Sequence, residues 1–163
     1  MLYNSQIRSI MEYAPLVWSS CPPLYNALLD RIQERVRRLI NTKRNMDDPV
    51  TLQPLCHRRA VSGLCVFYKT HVMLCPHLSH LRLPAARITS YHTRDSTTTG
   101  KEVQVPFART ALYMRSFHPY YSRVWNSVVW IFQNGNIRSL SNIKVTINRH
   151  LLQNPGILEP LVT

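Results

Sequence analysis

Acidic residues are scarce in this sequence: 8 Asp+Glu stand against 20 Lys+Arg, a formal net charge of +12. The few carboxylates form no spaced set of the kind that metal-assisted or acid–base catalysis needs, which argues against an independent nuclease. Lysine is scarce as well. With lysine only at 43, 69, 101 and 144, arginine supplies the other sixteen cations, and guanidinium groups favour bidentate phosphate contacts and stacking over diffuse charge. Nucleic acid is therefore the leading partner class, with an anionic membrane surface as its rival. No apolar run approaches the roughly 20 residues that span a bilayer. The four cysteines, at 21, 56, 65 and 75, show no paired short spacing, and the opening MLYNSQIRSIMEY is amphipathic and carries Glu12, unlike a secretory signal. Reduced, buried, intracellular thiols are expected. There is no internal repeat.

What is present is apolar material for one ordinary domain, 45% of 163 residues. Its most informative stretch is 25–44, YNALLDRIQERVRRLINTKR. At helical spacing Leu28, Leu29, Ile32, Val36, Leu39 and Ile40 share one face, and Arg31, Arg35 and Arg38 line a flank that continues to Lys43 and Arg44. The apolar face should dock on neighbouring helices, and the flank is placed to meet phosphate. A second helix is expected over 55–75, with Val61, Leu64, Cys65, Tyr68, Val72 and Cys75 on one arc, packed against the first. Gly63 inside it would permit close helix approach. Arg58, Arg59 and Lys69 make a second basic group on this helix.

Two apparent metal signatures fail on context. Asp47-Asp48 follows a basic helix and precedes Pro49, which suits a turn or helix N-cap rather than the hairpin of a polymerase active site. Cys56, Cys65, His71, Cys75, His77 and His80 are dense but lack the two short ligand pairs that zinc sites use. His71 reads as a core histidine. No cofactor is expected in this chain.

From 76 to 106 the periodicity fades into turn formers and threonines, with Arg87 to Tyr91 and Glu102 to Val105 alternating as two short strands. Trp18 reads as a core anchor, and Tyr91, His92 and Trp130 as residues able to stack on a base. A helix beginning near Pro119 should present Tyr120, Tyr121, Val124, Trp125, Val128 and Ile131 to the core, and a last helix aligns Leu140, Ile143, Ile147 and Leu151, capped by Ser139 or Ser141. The expected fold is mainly α, a small bundle of about four to five helices with a short β-hairpin in the 85–106 region. The expected divisions are a helical bundle at 1–75, a loop-rich connection at 76–106, a C-terminal helical region at 107–153 and a frayed tail at 154–163.

The motifs LYNSQIRSIMEYAPLVW, LDRIQERVRRLI, LCHRRAVSGLCVFYK, VPFARTALYMRSFHPYYSRVWN and SNIKVTINRHLL follow one another in this order. Together they resemble the region downstream of the polymerase core in reverse transcriptases of non-LTR retrotransposons, especially jockey-like elements. The chain departs from that pattern at Asn126-Ser127-Val128-Val129, where family members often continue with Leu-Pro after Trp-Asn. The resemblance implies a non-catalytic thumb and post-thumb region that grips RNA or an RNA–DNA hybrid. It also implies upstream polymerase and endonuclease domains as partners, and an intracellular location in cytoplasm and nucleus. The Tyr-x-Asp-Asp motif and its magnesium would belong to the palm, and nothing here matches that motif. Arg31, Arg35, Arg38, Lys43, Arg44, Arg58, Arg59 and Lys69 are the expected backbone contacts. Two other readings are a structural domain packed on the polymerase core and a zinc-binding nucleic-acid module.

Overall fold

The structure, a computed structural model, describes residues 3–43, 52–86, 101–132 and 139–161. It is mainly helical. A short π-helical turn, Tyr3–Ile7, leads into α1 (Arg8–Glu12), followed by α2 (Pro15–Ser19), α3 (Pro23–Lys43), α4 (Leu55–His71), α5 (Ala111–Arg115), α6 (Phe117–Val128) and α7 (Leu140–Gln153). Of these, α3, α4, α6 and α7 run 21, 17, 12 and 14 residues, so four long helices carry the bundle.

The centre of the bundle is α4 rather than the 25–44 helix. It packs on α7, α6, α2 and α1, and its Leu55, Ala60, Val61, Leu64, Phe67 and Tyr68 are all buried. Opposite it, α6 supplies Tyr120, Tyr121, Val124, Trp125 and Val128, and α7 supplies Ile143, Ile147 and Leu151. Both helices keep the 3.6-residue apolar period of the sequence, which is why these side chains meet α4 as continuous stripes. The aromatic residues gather at one level. The Trp125 ring stacks on Phe132 at 5.5 Å and lies 5.6 Å from Phe67, and Phe117 lies 5.1 Å from Tyr121. Since α4 packs on elements from both halves of the chain, 1–75 and 107–153 share one core.

Gly63 is the point of closest approach. A Cβ at this position would fall on the Tyr121 ring, whose hydroxyl donates to the Arg59 carbonyl at 3.2 Å. The expected close packing is met, and a side chain from α6 fills the space.

Beyond α4 the chain turns at Leu74, which is left-handed with φ 52. The helix ends at His71, short of the expected Cys75, because Pro76 holds Cys75 in extended backbone, ψ 124. Only part of the expected hairpin falls within the described residues, as a single antiparallel bridge between Ala85 and Val103. Asn126 fastens this segment to α6: its Oδ1 accepts from the Val103 amide at 3.0 Å and its Nδ2 donates to the Val103 carbonyl at 2.9 Å. The Trp125 indole N–H donates to the Lys101 carbonyl at 3.0 Å. The Trp-Asn pair thus ties the extended segment to α6.

Three further expectations change. The tail forms a 3₁₀ segment, Pro155–Leu161, whose Ile157 and Leu158 pack against the core. Ser139 occupies the N-cap of α7 without a side-chain cap bond; its Oγ meets Ser141 Oγ at 2.7 Å instead. Cys56 is exposed and Cys21, Cys65 and Cys75 are half-buried, all as free thiols. The expectations for Asp47-Asp48, Arg87, Tyr91 and His92 lie outside the described residues.

Replacing Gly63 by alanine should destabilise the fold even though alanine favours the helix by about 1 kcal/mol. Overpacking against Tyr121 costs about 1–3 kcal/mol and outweighs that gain. Urea denaturation of Gly63→Ala would give a lower midpoint; an unchanged or higher one contradicts the packing described.

Candidate nucleic-acid interface

Helix α3 is seated by a narrower face than its sequence offers. Leu29 and Val36, with Leu52, pack against Leu55, Met11 and Tyr3, and Gln33 is buried on the same face, its Nε2 donating to the Gln53 carbonyl at 2.8 Å. The buried face is therefore turned by about 50° from the one its apolar residues predict, counting 100° per residue. Leu28, Ile32 and Leu39 consequently stand exposed, as do Leu24 and Tyr25 near the helix start. The polar side chain at 33 recovers its hydrogen bond only at the seat, which is a physical reason for this rotation.

Next to the exposed apolar stripe runs the basic flank. Arg31, Arg35 and Arg38 are exposed and line a shallow groove with Ala27, Asp30 and Glu34. At 1.5 Å rise per residue, Arg31 and Arg38 lie about 10 Å apart along the axis. The flank is not purely basic. Glu34 accepts from Arg37 Nε and Nη2, both at 2.7 Å, and from Arg38 Nε at 3.0 Å. Hydrogen bonds from Arg37 and then Arg38 hold its carboxyl down at about 2, so Glu34 stays ionised and offsets local positive charge at any ordinary pH. Arg31 and Arg35 form no ion pair with a described residue and are the strongest open cations of the stripe. Lys43 is the last residue of α3, and Arg44 lies outside the described residues.

The second basic group is divided among different environments. Arg58 Nε pairs with Glu12 Oε1 at 2.8 Å, and the same oxygen accepts from Arg8 Nε at 2.8 Å, so Arg58 joins α4 to α1. Arg59 is buried: its Nε donates to the Met11 carbonyl at 3.1 Å, its Nη1 donates to Asn26 Oδ1 at 3.2 Å, and its guanidinium lies over the Trp18 ring at 5.1 Å. Burial lowers the Arg59 pKa, with Asp30 as the main opposing influence. A cation held in this way cannot reach a backbone phosphate without opening the fold, so Arg59 is removed from the expected contact set. Trp18, half-buried, is the lid over that cation, and its indole N–H donates to the Tyr13 carbonyl at 2.8 Å. Lys69 is half-buried near the far end of α4, where burial pushes the Cys65 thiol up and Lys144 of α7 and Lys69 oppose it. Arg58 and Lys69 are eleven residues apart on α4, about 16 Å along its axis, and do not form one cluster.

Among the described residues no group of three His, Cys, Asp or Glu side chains is placed to hold a metal ion. His71 uses both ring nitrogens within the fold: Nδ1 lies 3.1 Å from the Phe67 carbonyl and Nε2 lies 3.0 Å from the Leu83 amide. Since the Leu83 N–H can only donate, Nε2 is the acceptor and Nδ1 carries the proton. Also among the described residues, no helix is long and apolar enough to cross a membrane.

Comparison with known proteins gives no match: no protein-family model, curated protein or solved structure corresponds to this chain.

Sequence reasoning missed Glu34 as a partner of the flank, although its spacing to Arg37 and Arg38 (i+3 and i+4) is a readable ion-pair signal. It assigned Arg115 no role and read Tyr120 only as a core residue; both acquire a further significance from the cavity they line.

Burial lowers the His71 pKa, so protonation should weaken the fold. The unfolded chain takes up this proton near pH 6.5 while the folded site resists it, so the unfolded state binds more protons as pH falls. The stabilisation is complete above about pH 6.5 and is lost as pH drops through that value toward the lowered folded pKa. Chemical denaturation at about pH 7.5 and 5.5 should show a smaller loss for His71→Gln than for the parent; equal losses would remove His71 as the origin.

Proposed function

We propose that this chain is a non-catalytic, nucleic-acid-gripping C-terminal fragment of an RNA-directed DNA polymerase of a non-LTR retrotransposon. Its α3 flank binds the sugar-phosphate backbone of a template–primer hybrid or structured RNA. The observation that carries this reading is the exposed arginine edge of α3, with Arg31 and Arg35 open and Arg38 shared with Glu34. The excess of arginine, the ordered series of motifs and the mainly helical fold support it. Backbone contacts of this kind position a duplex and carry little base preference. Arg58 and Arg59 serve the fold through Glu12, Met11 and Asn26. Catalysis would belong to a palm domain elsewhere in the parent protein.

A second reading draws on the exposed stripe of Leu28, Ile32 and Leu39. In that reading α3 packs on the polymerase core, and its arginines meet acidic groups there. Saturable binding of a hybrid by the chain alone favours the first reading, whereas binding of a palm fragment without hybrid binding favours the second.

Binding of an RNA–DNA hybrid should weaken steeply with salt, because each neutralised phosphate releases counterions. Replacing Arg31, Arg35 and Arg38 together by glutamine should flatten the log–log salt slope by about 2 to 3, and Arg59→Gln should lower stability without changing the slope. Glu34→Gln, by freeing Arg37 and Arg38, should steepen it by about 1 to 2. Filter binding over a salt series measures all three. An unchanged slope in the triple variant sinks the assignment of this flank.

A further inference from the structure

Among the described residues, three buried side-chain polar atoms have no hydrogen-bond partner: Arg59 Nη2, Arg115 Nε and Tyr120 Oη. All three side chains line the same cavity, of about 390 Å³, which is walled by residues of α2, α3, α4, α5 and α6. Unmet buried polar groups are uncommon in folded proteins, and each calls for an explanation such as a bound ligand. Their concentration around one void is the pertinent observation. Arg59 and Tyr120 are only 6% and 3% exposed, so neither can turn outward to solvent.

The geometry fixes what these groups ask for. Two of the three Arg59 nitrogens are anchored, to the Met11 carbonyl and to Asn26 Oδ1, and the guanidinium plane is covered by Trp18. Its remaining nitrogen is thus a preorganised donor that cannot swing away. Arg115 Nε can only donate, and the Tyr120 hydroxyl can donate, so a ligand must bring acceptor oxygens. The charge of the lining narrows the class. Two guanidiniums, of Arg59 and Arg115, face one carboxylate, Asp30, which leaves a single positive charge uncompensated and favours a monoanion over a dianion. Trp18 and Tyr121 supply flat aromatic wall, and the volume lies within the range of small-molecule sites.

We propose that this cavity binds a small aromatic monocarboxylate, its carboxylate received by Arg59, Arg115 and the Tyr120 hydroxyl and its ring lying against Trp18 and Tyr121. The site shares Ala27 and Asp30 with the α3 groove but none of its arginines, and it does not rest on the nucleic-acid reading. Asp30, at its edge, is available to accept from a hydroxyl or amino substituent on the ligand.

Titration calorimetry with phenylacetate, phenyl phosphate, inorganic phosphate and 2-phenylethanol tests the assignment. Phenylacetate should bind saturably with one site and at least about tenfold more tightly than the neutral alcohol, as expected for hydrogen bonds to a charged group. Tyr120→Phe should weaken phenylacetate by about tenfold, while the free variant melts no lower than the parent, since an unsatisfied buried hydroxyl has been removed. Arg115→Gln should weaken binding at least as much. The proposal is overturned by absent saturation at millimolar phenylacetate, by equal affinity for the alcohol, by tighter binding of either phosphate, or by unchanged affinity in Tyr120→Phe.

Discussion

The contact on which the structure depends is the Tyr121 ring lying on Gly63. It brings α6 against α4 at a distance that no larger residue at 63 would permit, and it aligns Trp125 with Phe67 and Phe132 one turn further on. The Tyr121 hydroxyl also reaches the Arg59 carbonyl, so the same ring fixes the stretch of α4 from which Arg58 and Arg59 project. One side of that stretch is core, and the other carries the buried cation and the cavity beside it. Close packing and buried charge are therefore coupled: a displacement of α6 would disturb the backbone that positions Arg59.

Cations in this chain do three different kinds of work. Arg58 and Arg8 share Glu12 and join the N-terminal turn to α4. Arg59 is a structural cation held by carbonyl, amide and aromatic groups, an arrangement that meets most of the cost of burying charge. Arg31 and Arg35 project from a helix whose own carboxylates at 30 and 34 limit the local excess. Among the described residues these cations therefore stand in three separate settings rather than in one patch.

The apolar stripe exposed on α3 and the cavity beneath Trp18 indicate two surfaces that the bundle does not use for its own cohesion. Leu28, Ile32 and Leu39 stay in water because Gln33, rather than a leucine, occupies the centre of the buried face. The cavity persists because Trp18, held through its indole to the Tyr13 carbonyl, bridges over Arg59 instead of filling the space next to it. In both places a polar requirement sets the position of apolar groups.

The sequence alone determined the helical class, the positions of the four long helices and most of the core, since periodic Leu, Ile, Val and aromatic residues in α4, α6 and α7 can be buried in only one orientation. It also identified Gly63 as a close approach, His71 as a histidine satisfied within the fold, though half-buried rather than core, and the exposed edge formed by Arg31, Arg35 and Arg38. Only the tertiary structure decided which helix is central, because α3 has as strong an apolar stripe as α4 but fewer surfaces against which to bury it. It likewise separated Arg58 and Arg59 from the open cations and brought Arg115 and Tyr120 to Arg59, a meeting between residues 56 and 61 positions apart that no local spacing encodes. The difference is physical: periodicity fixes the face of a helix a residue occupies, whereas a charge's solvation depends on what the rest of the chain places against that face.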